Sequence, residues 1–262
     1  MSKIKYIEDY HTIGQHRIYC KYYQNNAPTV IFEAGLGDCS NTWKDIQDNI
    51  SLVTTTFSYD RAGVGKSEAT RVPSTGWIIV QDLLNLITKV ALKPPFLLVG
   101  HSFGGLISRL FASINPANVA GMILIDAAPE NKEVSFQKVL TDKQIVKMKN
   151  YLNNPDLNSE KVDKVKTYQQ ISRYGRQFNF PLTIIIRGLA KCYGSGWPEE
   201  SLLKEEQKLQ LDFKKISKIS KTIIAKKSSH YIHKDEPELI IKEIIKMVNI
   251  IKKSSKKVTG LR

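Results

Sequence analysis

A serine, a histidine and a carboxylate carried at the ends of separate strands can run acyl transfer, and this chain offers such a set. The stretch Val99-Gly100-His101-Ser102-Phe103-Gly104-Gly105 sits between an apolar run, Phe96-Leu97-Leu98, and a helix-favouring segment at 106–112. Its G-x-S-x-G spacing is that of a nucleophile elbow, in which a sharp strand-to-helix turn lifts the hydroxyl clear of the backbone. Glycines at 100 and 104 leave room where a Cβ would collide. The helix that follows Ser102 aims free N–H groups and the positive end of its dipole at the site.

A serine hydroxyl is a poor nucleophile until a base takes its proton. The usual base is a histidine, held in one tautomer by a carboxylate. Ser228-Ser229-His230-Tyr231-Ile232-His233 follows the last expected strand and supplies two candidates. His230, nearer the strand end, is the expected base, and His233, ahead of Asp235-Glu236-Pro237, is expected to anchor the next helix. His11 and His16 fall in an N-terminal hairpin. The elbow geometry is expected to turn His101 in another direction. The expected carboxylate is Asp126, at the end of Met122-Ile123-Leu124-Ile125. In Ala34-Gly35-Leu36-Gly37-Asp38 the glycines let backbone approach a ligand. The N–H groups of Leu36 and Phe103 are the expected oxyanion hole, where losing one donor typically costs roughly 3–4 kcal/mol.

These residues need a scaffold that brings loop ends together. Two alternating segments, 5–10 and 17–23, read as an antiparallel hairpin. Buried strands are expected at 29–33, 53–59, 94–98, 119–125, 181–188 and 221–225. Helical spacing of apolar residues marks 43–50, 77–92 and 239–251, the last through Ile240, Ile241, Ile244, Val248 and Ile251. Strands alternating with helices predict an α/β fold with a mostly parallel sheet flanked by helices. Loops at the carboxyl ends of its strands converge on one crevice. The polar, helix-favouring stretch 130–176 is expected to be an insertion, a small helical lid, on a core domain made of 1–129 and 177–262.

Other signals exclude function classes. Asp60-Arg61-Ala62-Gly63-Val64-Gly65-Lys66-Ser67 ends like a phosphate loop, but that motif needs a glycine where Asp60 stands. Asp60 and Arg61 are expected to brace their loop through a local ion pair. No run of 18 apolar residues is present, so no integral membrane segment is expected. The net charge of +14 is lopsided, with 16 Lys and Arg against 7 Asp and Glu over 204–262. Those lysines alternate with isoleucines at helical spacing and lack interleaved aromatics. A solvated helix face is therefore the expectation, and no nucleic-acid partner. Cys20, Cys39 and Cys192 have neither metal-ligand nor disulfide spacing, and no secretory leader is visible, so a reducing cytoplasm is the expected location.

Taken together, the glycine loop after Phe32-Glu33, the Asp60–Ser67 segment, the serine elbow and the late Ser-His-Tyr-Ile-His run resemble the α/β-hydrolase family over about 29–247. The resemblance implies an eight-stranded, mostly parallel sheet, a Ser–acid–His triad and no cofactor. The chain order Ser102, Asp126, His230 agrees with it. Two departures stand out. Many members carry His-Gly where this chain has Ala34-Gly35, a change that leaves the backbone donor intact. Most members place the acid after the penultimate strand, where this chain has no aspartate at the usual place. Some place it one strand earlier, as Asp126 would be; Glu199 and Glu200 are the alternatives. The implied activity is cleavage of a carboxylic ester or related acyl bond of a small molecule, with 130–176 and Trp197 shaping the pocket. Amide, thioester or lactone cleavage by the same residues is the neighbouring alternative. A non-catalytic ligand-binding protein on the same fold is the alternative of another class. Members that open epoxides or remove halogens use a carboxylate where Ser102 stands.

Overall fold

Consecutive apolar residues mark the central strands, and a strand apolar on both faces must be covered by helices on both sides. The computed structural model describes residues 5–191 and 193–259, with side chains through Ser255. Cys192 therefore lies outside the described residues. β1 (Ile7–Ile13) and β2 (His16–Tyr23) form an antiparallel hairpin, and β2 pairs antiparallel with β4 (Thr55–Tyr59). β3 (Thr29–Glu33), β5 (Phe96–His101), β6 (Val119–Ile125), β7 (Leu182–Arg187) and β8 (Ser220–Ala225) join them. The eight strands run in the order β1-β2-β4-β3-β5-β6-β7-β8, parallel from β4 to β8.

The period-2 geometry of a strand sends neighbours to opposite faces. In β5, Leu98 joins the core of one face and Leu97 and Val99 that of the other. α2 (Gly76–Val90) and α3 (Phe103–Ile114) cover the first face through Leu83, Leu86, Leu106 and Leu110. α1 (Lys44–Ser51) and α9 (Pro237–Thr259) cover the second through Ile46, Ile50, Ile240, Ile244 and Val248, and the short α8 (Ile232–Asp235) adds Ile232. Each fully buried Leu or Ile in these stripes contributes about 1.5–3 kcal/mol relative to exposure. Glu243 of α9 pairs with Lys246 at 2.7 Å and with Lys221. No helix among the described residues is long and apolar enough to cross a membrane.

Between β6 and β7 lie α4 (Lys132–Phe136), α5 (Asp142–Asn153) and α6 (Lys164–Tyr174). A capping box of Thr141 and Gln144 starts α5 by satisfying otherwise orphaned N–H groups. α6 packs on α2 and α3 and buries Ile171 in the same core. α7 (Glu199–Leu211) is a helix that apolar periodicity did not mark. Its buried residues mix Leu202 and Leu203 with Glu205, Glu206 and Gln210, so no continuous apolar stripe announces it.

Candidate active site

At the β5–α3 turn Ser102 adopts φ 52° and ψ −120°. A non-glycine residue at positive φ costs of order 1–3 kcal/mol, so the surroundings must hold it. The Ser102 N–H donates to the Ile125 carbonyl (3.0 Å), and its own carbonyl accepts from Gly105 (3.0 Å) and Ala128 (2.9 Å). A Cβ at Gly100 would come within 2.6 Å of the Gly104 carbonyl oxygen, and one at Gly104 within 2.3 Å of the Glu33 carbonyl oxygen. The turn closes only with glycine at both places.

Other strand ends of the same sheet carry His230 and Asp126. His230, in the loop after β8, donates from Nδ1 to Asp126 Oδ2 at 2.6 Å. That bond fixes the tautomer and leaves Nε2 as the basic nitrogen. Asp126 follows β6 and is itself over-determined: Arg187 donates to Oδ2 (2.6 Å) and Gln210 to Oδ1 (3.0 Å). Burial opposes charge on Asp126, yet the His230 hydrogen bond and the Arg187 guanidinium hold its carboxyl well below the usual range. Glu206 accepts from Arg187 at 2.6 Å and offsets its charge. Burial lowers the His230 imidazole below its ordinary 6.5, against the pull of Asp126. Of the alternative acids, Glu199 accepts the Tyr193 backbone N–H (2.8 Å) and Glu200 is exposed in the first turn of α7.

The loop after β3 carries Leu36, which lines the same cavity as Ser102, Phe103 and His230. Phe103 opens α3, where first-turn N–H groups have no intrahelical acceptor. The loop's path is set by Arg61. Its guanidinium grips Glu160 through Nε (2.7 Å) and Nη2 (2.8 Å), meets Glu33 through Nη1 (3.2 Å), and donates to the Ala34 (2.8 Å) and Gly35 (2.6 Å) carbonyls. Glu160 also accepts the Gly37 N–H at 2.6 Å. The local Asp60–Arg61 pair expected from sequence is thus replaced by two longer-range ones. Asp60 instead accepts the backbone N–H groups of Ser40 (2.6 Å) and Lys66 (2.8 Å), because Arg61 is drawn to carboxylates buried behind the loop. Arg61→Met is expected to cost about 3–5 kcal/mol, since it leaves two buried carboxylates uncompensated. Urea denaturation reads this directly, and a loss under 1 kcal/mol would contradict the scaffold role.

His101 also departs from expectation. It turns toward the histidine loop, and its Nε2–H donates to the His230 carbonyl at 2.8 Å. His233 packs on Trp43 with ring centres 4.7 Å apart, and its Nε2 meets the Thr42 hydroxyl at 2.8 Å. Burial pushes His233 down to about 3 and holds His101 far below its ordinary value. Asp38, His101 and His233 bring one ligand atom each within 4.8 Å of one another. This is the grouping among the described residues whose donor set suits a cation. His11 and His16 lie in β1 and β2, beside Asp9 and Asp82. No motif or spacing in the sequence marks Arg187, Glu206, Gln210, Glu160 or His101 as functional. One signal was present: a charged residue ending an otherwise uncharged, mostly apolar strand, as Glu33 and Arg187 do, requires a buried partner.

A sequence profile of the alpha/beta hydrolase fold matches residues 28–233. The uncharacterised protein YqjL of Bacillus subtilis is 33% identical over 217 residues, covering 81% of this chain and 80% of that protein. The monoglyceride lipase of Rattus norvegicus is 31% identical over 193 residues, covering 69% of this chain and 61% of that protein. Among solved structures, mouse alpha/beta hydrolase domain-containing protein 10 superposes with a TM-score of 0.71 at 16% identity, over 94% of this chain and 99% of that one. At that identity the last similarity speaks for the fold alone.

Proposed function

As this chain belongs to the alpha/beta hydrolase family, we propose that it is a serine hydrolase cleaving a carboxylic ester or related acyl bond of a small molecule. The observation that carries the reading is the 2.6 Å bond from His230 to Asp126 on the rim of the cavity that Ser102 borders. His230 Nε2 takes the Ser102 proton as Oγ bonds to the substrate carbonyl carbon. The carbonyl oxygen becomes an oxyanion held by the N–H groups of Leu36 and Phe103. Collapse breaks the bond to the leaving group, which receives the proton from His230. Water, deprotonated by His230, then attacks the acyl-enzyme, releases the acid and restores Ser102. Amide, thioester and lactone carbonyls pass through the same steps, and a substrate panel ranks them.

In this reading the helical segment 130–176 is a lid on the core, and Trp197 from the loop after β7 completes the acyl pocket. Asp38, His101 and His233 take no step. Labelling by a fluorophosphonate tests the proposal, because only an activated serine reacts quickly. Modification at Ser102 is the expected result, and an unlabelled chain would remove the proposal. The pH profile gives a second check. The base must be neutral, and burial lowers His230 below 6.5. The rate should therefore rise through an inflection on the acid side of 6.5 and stay level to neutrality. An inflection above neutrality would contradict the role given to His230.

A further inference from the structure

The cavity that Ser102 and His230 border has a volume of about 400 Å³, and its walls differ in charge. The elbow and the loop after β3 wall one side. The other side comes from α4, α5, α6 and the loop after β7, and brings in Lys132, Lys147, Lys164 and Lys191. Among the described residues, two carboxylates, Asp38 and Glu133, line the cavity against these four lysines.

The lysines are not equivalent. Lys132 lies 3.4 Å from Glu206, and Lys147 is exposed. Lys164 and Lys191 have no carboxylate within salt-bridge distance among the described residues. Lys164 is only 5% exposed and rests its Nζ 3.5 Å from the Tyr151 ring centre. Lys191 stands 5.6 Å from the Tyr193 ring centre. A ring face compensates a buried ammonium only in part, and desolvated charge without a counter-ion is costly. Burial accordingly pulls Lys164 down to about 8, and it lowers Lys191 as well. The positive charge of Lys132 acts in the same direction on both. Glu133 offsets this in part at Lys164, and Glu206 and Asp126 do so at Lys191, yet burial still leaves both ammonium groups below their ordinary value. An anion bound in the cavity that Lys164 and Lys191 both line would supply a closer counter-charge.

We propose that this cavity selects acyl substrates carrying an anionic group, a carboxylate or a phosphate, remote from the scissile bond, with Lys164 and Lys191 as its receptors. The inference rests on the serine-hydrolase reading and narrows its substrate class. Two ammonium point charges, rather than a forked guanidinium, fit either anion.

The test compares the p-nitrophenyl monoester of suberic acid with the mixed p-nitrophenyl methyl diester, which has the same acyl chain and leaving group but no charge. The expected result is a kcat/KM at least roughly tenfold higher for the monoester, the effect of one charge-assisted hydrogen bond, carried in KM. An analogue ending in a phosphate monoester ranks the two anions. Lys164→Met and, separately, Lys191→Met should each move the ratio toward one, so that a folding failure in one variant leaves the other informative. A wild-type ratio at or below one overturns the inference, as does a ratio that neither variant moves. Fluorophosphonate labelling of Ser102 runs in parallel. Labelling without a preference, or without turnover of any of these esters, overturns the anion inference alone. Absence of labelling overturns the serine-hydrolase reading beneath it.

Discussion

Ser102→Ala is expected to lower kcat/KM for a short p-nitrophenyl ester by roughly 10³- to 10⁶-fold, the range seen when a nucleophile is removed from a set of residues acting as a unit. Binding and the oxyanion donors would survive, so the remaining rate should stay above that in water. The fold should survive as well, because Ala keeps the Cβ and none of the hydrogen bonds that hold the turn uses the hydroxyl. Ser67→Ala is the matched control. The Ser67 hydroxyl donates to the Asp60 carbonyl (2.6 Å) and accepts from the Tyr19 N–H (2.9 Å). Its loss should cost about 1 kcal/mol of stability and leave turnover in place. Equal activity in the two variants would end the assignment of Ser102.

Asp126→Asn is the second large effect, an expected loss of about 10⁴-fold in kcat. An amide at 126 would still fill the site, but it would no longer stabilise the imidazolium that the proposed proton transfer forms at His230. It also offers an N–H where His230 Nδ1–H now finds an acceptor, which favours the wrong tautomer. The surroundings sharpen this expectation. Arg187 and Gln210 both donate to the Asp126 carboxylate, so the site is built for an acceptor-only group. Arg187 would keep only Glu206 as its anion, and a stability loss should accompany the kinetic one. Glu200→Gln is the control for the alternative acid. Measuring kcat for both variants decides between the carboxylates, and a collapse in Glu200→Gln with activity retained in Asp126→Asn would reverse the assignment.

Residues that act through neighbours in the chain were legible from sequence. The elbow is such a case: its requirement is steric, and its turn is written in the glycines two positions either side of Ser102. The strands were legible for a related reason. Burial on both faces demands runs such as Val30-Ile31-Phe32 and Ile123-Leu124-Ile125, which no amphipathic helix shows. α7 was not legible, because the side it buries carries Glu205, Glu206 and Gln210. Those residues are buried for their contacts to other side chains, and hydrophobic periodicity is blind to that reason.

Long-range pairing was beyond the sequence as well. Arg61 has Asp60 as its neighbour in the chain, yet it binds Glu33 and Glu160. His101 carries no signal in its spacing, yet it holds the carbonyl of His230. By itself the amino-acid sequence determined the alternation of strands and helices, the position of the elbow and the chain order of serine, aspartate and histidine, since local sterics and burial periodicity act over a few residues. Only the tertiary structure decided which carboxylate meets which cation, because strand order brings Asp126 beside Arg187 and His230, partners 61 and 104 positions away. Coulombic attraction and hydrogen bonding depend on that distance in space and leave no mark in spacing along the chain.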